Sequence, residues 1–193
     1  MDNAGKLLQR LTLAMVLSMV ASWAHADLLD ALQAYREGNY LLAFDEFRTL
    51  ALNGDADAQF RLGDMYAKGE GVTQDFKQAF DWFLKAASHD EPRAQLAVAE
   101  AYEQGHGVTQ DSKRAATWYL MAAEHGNPRA EYAIGLMYAK GTDMPLDLVE
   151  ARKWLGLAGD IAAGSKVWVE GKMTTSQIEK AKELEMEWRE RYK

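Results

Sequence analysis

GEGVTQD, residues 69–75, returns thirty-six residues later as GHGVTQD, residues 105–111. Two glycines so close together invite comparison with a phosphate-gripping loop, but a dinucleotide loop needs GxGxxG directly after a strand. No convincing strand precedes either copy. The alternative is the turn of a structural repeat, and the surrounding chain decides for it. Sliding the sequence on itself by 36 residues aligns Asp57–Pro92 with Arg93–Pro128, and then with Arg129–Asp160, without insertion or deletion. A fixed period of this size signals stacked helical hairpins.

The recurring letters fit packing. Ala58, Leu62 and Tyr66 recur as Ala94, Val98 and Tyr102 and again as Ala130, Ile134 and Tyr138, each set four residues apart along one helix face. Gly63, Ala99 and Gly135 keep that helix small where a neighbour must approach closely. After the loop, Ala79, Trp82 and Ala86 return as Ala115, Trp118 and Ala122, then as Ala151, Trp154 and Ala158, predicting a second helix packed on the first. Between the two, Gly69 suits a left-handed helix C-terminus. Asp75, Asp111 and Asp147 stand where the next helix begins, placed to accept from its free N–H groups. Gln78 and Glu150, three residues on, suit a capping box.

Ala34–Gln59 reads as a shorter hairpin with its loop trimmed by five residues. Met173–Lys193 reads as a closing helix, entered through Thr174 and Gln177, with Ile178, Ala181, Leu184 and Trp188 on one face and charges on the other. The stretch between Gly156 and Gly171 is open to either a degenerate helix or a loop.

The first 26 residues stand apart from this pattern. Lys6 and Arg10 precede the apolar run LTLAMVLSMV, which ends in ASWAHA, the order of a secretory signal peptide with cleavage expected after Ala26. Leu11–Ala24 gives 14 residues, short of the about 20 that span a bilayer. Removing this segment changes the net charge from −7 to −8, a surface that repels nucleic acid and anionic lipid. The sequence holds no cysteine, which excludes disulfides, thiolate metal sites and a cysteine nucleophile. A periplasmic or secreted protein is expected, with no stable membrane insertion once the signal is removed.

Chemistry is sparse. Ser88, His89 and Asp90 are consecutive near a helix end and point apart, so they form no triad. His89, His106 and His125 fall in variable turns rather than converging as metal ligands. The tryptophans at 82, 118 and 154 have the helical spacing of core residues rather than of a stacking platform. No catalytic residue, cofactor or metal is expected.

The pattern of alanine, Leu-Gly, tyrosine, GxGVxxD, tryptophan and AAxxG over 36 residues resembles the Sel-one-like repeat (SLR), a relative of the tetratricopeptide repeat, and the trimmed first hairpin resembles a tetratricopeptide unit. Ala99 for glycine and Asp143 for the second loop glycine depart from the pattern. The resemblance implies an all-α fold, a right-handed alpha-solenoid of helix-turn-helix repeats with a C-terminal capping helix. Its expected divisions are a signal peptide at 1–26, a TPR-like hairpin at 27–56, repeats at 57–92, 93–128 and 129–164, and the cap at 165–193.

In the tetratricopeptide fold the first helix of each hairpin faces a concave groove. That likeness places Phe60, Asp64 and Lys68, then Leu96, Glu100 and Gln104, then Tyr132, Leu136 and Lys140 as partner-binding residues. The function implied is a non-enzymatic scaffold or adaptor of the cell envelope, monomer or homodimer, that binds a protein or peptide in its groove. The alternative is an envelope enzyme or β-lactam-binding SLR protein; the known examples of that group are cysteine-rich, and this chain has none.

Overall fold

The computed structural model describes residues 28–141 and 144–191, and all secondary structure among them is helical. The expected signal peptide, and Asp143 in the third loop, lie outside the described residues. The chain divides into two compact units, one ending at Gln74 and one beginning at Asp75.

The first unit carries α1 (residues 28–36), α2 (Tyr40–Leu52) and α3 (Ala56–Lys68). Gly38, at φ 78°, makes the short turn between α1 and α2. Asn39 caps α2 and Asp55 caps α3, each accepting a backbone N–H from the first turn. Phe47 is fully buried, Phe44 meets Tyr66 edge to face at 5.4 Å, and Tyr35 donates its hydroxyl proton to Glu70 at 2.6 Å.

The second unit runs through α4 (Phe76–Ala87), α5 (Pro92–Gln104), α6 (Ser112–Glu124), α7 (Pro128–Lys140) and α8 (Leu148–Leu157), each packed on the next. A 3-10 turn (Gly159–Ala162), α9 (Ala163–Glu170) and α10 (Thr175–Arg191) follow. The segment left open by its sequence is therefore helical over most of its length. Val169 reaches from α9 into a core with Ala151, Leu155 and Ala162.

The glycines, the glutamine and the aspartate of the repeated loop each have a structural task. Gly69, Gly105 and Gly141 end their helices in the left-handed conformation, at φ 75°, 75° and 69°. Gln74 and Gln110 fold back so that Nε2 donates to the carbonyls of Ala67 and Glu103, satisfying groups that the helix ends leave open. Asp75, Asp111 and Asp147 each accept two N–H groups of the helix that follows. The loop is a double cap. Its second glycine answers to a different constraint: a Cβ on Gly71 would lie 2.2 Å from the Tyr40 carbonyl oxygen, and one on Gly107 2.0 Å from that of Phe76. Both oxygens belong to the first residue of a helix, so the loop lies directly against a helix start in each unit.

The turns between hairpins repeat as well. Residue 54, 90 or 126 takes positive φ in each, and the following N–H bonds back to the carbonyl of Leu50, Ala86 or Ala122. Glycine occupies the first and third positions, but Asp90 stands at φ 58° in the second, the sole non-glycine with positive φ among the described residues. Left-handed backbone is costly for a residue with a Cβ, though least so for Asn and Asp. Asp90→Gly is therefore expected to raise stability by about 0.5 kcal/mol, read from the urea midpoint; a loss would mean that the Asp90 side chain contributes more than its backbone costs.

Trp82 and Trp154 are buried as the spacing predicts, while Trp118 is half-buried. The three turn histidines are exposed, and His106 stacks on Phe76 at 4.6 Å. At the C-terminal side of the second unit, Thr174 and Gln177 form the expected reciprocal cap of α10: Thr174 N–H donates to Gln177 Oε1 at 2.9 Å, and Gln177 N–H to Thr174 Oγ1 at 3.3 Å. Ala181 is fully buried on the inner face of α10, and Trp188 meets Trp154 edge to face at 4.8 Å. Arg152, on α8, is 5% exposed and holds Glu170 at 2.9 Å and Glu185 on α10.

Candidate functional site

In the second unit, α5, α6 and α7 enclose an open cavity of about 420 Å³. Its position follows from helical spacing: Glu100 and Glu103 lie one turn apart on α5, and Tyr132, Leu136 and Lys140 follow at intervals of four on α7. Tyr119 on α6 donates its hydroxyl proton to Glu103 at 2.8 Å. Arg129, at the start of α7, bridges to Glu100 at 2.7 Å. The floor between these polar ties is apolar, from Ala133, Leu136 and Met137.

Burial governs the electrostatics. It lifts the Glu100 carboxyl above its ordinary value, with Arg129 pulling the other way and Glu103 adding to the rise. It also pushes the Tyr119 phenol far up, reinforced by the hydrogen bond to Glu103, so the hydroxyl remains a donor at any ordinary pH. Both carboxylates thus have partners, Glu103 in the Tyr119 hydroxyl and Glu100 in the Arg129 guanidinium, and form a polar rim to the cavity.

Four of the residues singled out from the sequence, Glu100, Tyr132, Leu136 and Lys140, line this cavity. Tyr132 is half-buried, with its hydroxyl 3.3 Å from Ser165 on α9. Gln104 is exposed near the end of α5, and Leu96, at 8% exposure, is packed away. Phe60, Asp64 and Lys68 lie on α3 in the first unit, where Lys68 pairs with Asp64 at 2.7 Å.

Glu103, Tyr119 and Arg129 escaped the sequence reading. A signal was present for two of them. Tyr119 falls at the repeat position that Phe83 and Leu155 fill with apolar rings or chains, and Glu103 at the position of Ala67 and Ala139. The second repeat departs from the pattern at both positions, and the two departures satisfy each other. Among the described residues, no group of three or more His, Cys, Asp or Glu is placed to hold a metal ion, and no helix is long and apolar enough to cross a membrane.

Helical hairpins repeated at a fixed period, with a polar rim around an apolar floor, define a class of helical repeat protein. The chain belongs to the Sel1 repeat family, whose pattern matches residues 56–91, 92–127 and 128–160. Its fold is the all-α solenoid class of that family. It is similar to the crystal structure of a Sel1 repeat protein from Oxalobacter formigenes, at 30% identity and a TM-score of 0.68 over 72% of this chain and 58% of that one. It also resembles a protective antigen, displaying an SLR fold, that is present in uropathogenic Escherichia coli strains; there the identity is 26% and the TM-score 0.59, over 84% of this chain and 46% of the other. The chain thus spans little more than half of the first relative's length and less than half of the second's. No curated protein matches it. Sel1 repeat proteins generally act in protein–protein interaction, and their fold is typically a non-catalytic scaffold.

Proposed function

We propose that this protein is a non-enzymatic adaptor of the cell envelope that holds a peptide segment of a partner protein against α5 and α7. The observation carrying this reading is the cavity of about 420 Å³: an apolar floor at Leu136 and Met137, with Glu100 and Glu103 on one helix and Arg129 and Lys140 on the other. Such a site suits one apolar side chain of an extended or helical peptide flanked by charged neighbours. Ordering cost at the site is low, because Tyr119 and Arg129 already hold the two glutamates in place. The basic, apolar and small-residue order of the first 26 residues supports the envelope location.

The test is affinity capture from an envelope extract, comparing the wild-type chain with a Leu136→Ala, Lys140→Glu variant of unchanged circular dichroism. A partner held by the wild type and reduced at least about tenfold in the variant is the expected result, since losing an apolar anchor and reversing a rim charge each weaken binding. Identical capture by the two forms would remove this site from consideration. Hydrolysis of a chromogenic β-lactam that co-purifies with the chain would overturn the non-enzymatic reading.

A further inference from the structure

A buried polar side chain recurs at one position of all three repeats. Gln59, Gln95 and Glu131 are 36 residues apart, and their exposures are 5%, 0% and 5%. In the first repeat, Gln59 Nε2 donates to the carbonyl of Ala51, in the last turn of the helix before it, at 3.1 Å. The turns that precede the three residues share their backbone, with positive φ at residues 54, 90 and 126 and the same return bond to the carbonyls of Leu50, Ala86 and Ala122. Gln95, fully buried at the same place in the second repeat, has no partner for either amide atom, so the position accepts an unpaired neutral group, whereas an ionised carboxylate there would bury an unpaired charge.

We propose that Glu131 stands as the neutral acid in the folded chain, so that the joint between the second and third repeats tightens with protonation. Its surroundings agree. The Glu131 carboxyl makes no hydrogen bond or ion pair with the described residues, and it lines a cavity of about 600 Å³ into which α10 brings Trp188 and Arg189. Arg189 is already engaged, donating to Glu185 at 3.1 Å and to the Gly156 carbonyl at 3.0 Å. Glu124 and His125 face the same cavity from the end of α6, Glu185 acts on Glu131 from α10, and α8 contributes only Leu157. The negative end of the α6 dipole adds to the cost of a carboxylate there.

Burial, the largest cause, lifts the Glu131 carboxyl to about 7; Arg189 lowers it and Glu185 raises it again. A carboxyl raised on folding contributes stability in full below its unfolded pKa and loses it as pH climbs through the folded one. The window is therefore between about 4.5 and about 7.

Thermal unfolding of the full chain and of Glu131→Gln, from pH about 5 to about 8.5, tests this. Glutamine keeps the size and a neutral polar group without the titration. The expected result is that the wild-type Tm falls by roughly 5 °C more than the variant's across this range, and that the two agree at the acid end. The carboxyl carbon-13 resonance of Glu131 should titrate over the same range. Parallel curves for the two proteins would overturn the proposal. So would a variant less stable than wild type at the alkaline end, because Glu131 would then act as an ionised partner of Arg189.

Discussion

Gly107→Ala is expected to lower stability by about 3 kcal/mol or more, from two independent costs at one site. The first is conformational: at φ +73° any residue with a Cβ occupies left-handed backbone, worth about 1–2 kcal/mol. The second is steric and larger. The new carbon would lie 2.0 Å from the Phe76 carbonyl oxygen, 2.4 Å from its carbon and 2.8 Å from the Lys77 nitrogen, all backbone atoms of the first turn of α4. None can rotate aside, so the loop must lift and forfeit its contact. Gly126→Ala separates the two costs, since Gly126 has the same φ of +73° but open space around the added carbon. It should lose only about 1 kcal/mol. Urea midpoints of the pair check this, and equal losses would mean that the loop relaxes freely away from α4.

Arg152→Ala carries the other large expectation, a loss of about 3 kcal/mol. The guanidinium is 5% exposed and holds two carboxylates, Glu170 on α9 at 2.9 Å and Glu185 on α10. Truncation removes the charge that made their burial tolerable. Arg189 still holds the second oxygen of Glu185, which keeps the cost toward the lower end for a broken buried pair. The site has no slack: a Cβ on Gly156 would meet Glu185 Oε2 at 2.1 Å and Arg152 Nη1 at 2.8 Å. Denaturant unfolding gives the magnitude, and hydrogen exchange locates it, with protection expected to fall first in residues 175–191. Adding Glu170→Gln and Glu185→Gln to the variant should recover much of the loss, because no uncompensated charge remains. A loss below about 0.5 kcal/mol for the single variant would place both glutamates in effective contact with water.

The helices and their ends were legible because each rests on local chemistry repeated in register. Asp75, Asp111 and Asp147 reach only two and three residues ahead for their hydrogen bonds, and Thr174 with Gln177 does the same. What escaped depends on residues distant in sequence. The reason for glycine at 71 and 107 is a carbonyl in a preceding helix, and nothing in GEGVTQD itself reveals it. The stretch from Gly156 to Gly171 lacks a helical period because α9 buries only Val169 fully. The candidate site was half legible. The likeness to the tetratricopeptide hairpin supplies Glu100, Leu136 and Lys140, but at the position shared by Leu96 and Tyr132 the outcome turns on side-chain length, since the shorter leucine is covered and the tyrosine extends to Ser165. The partnership of Tyr119 with Glu103 emerges only when departures from the repeat are compared rather than its agreements.

The fastening of α10 also bears on how such a chain can lengthen over evolutionary time. A duplicated hairpin inserted among the middle repeats would bring its own loop glycines, Gln and Asp, and find the same helix start to lie against, so the copy is accommodated by rules already in force. The face of α8 beyond the third repeat is different, because Arg152 and Trp154 there are committed to Glu185 and Trp188 of a helix that follows no repeat. A duplication landing after α8 would have to displace those partners and supply substitutes for both at once. Growth by small steps is open in the interior of the array and obstructed at this boundary.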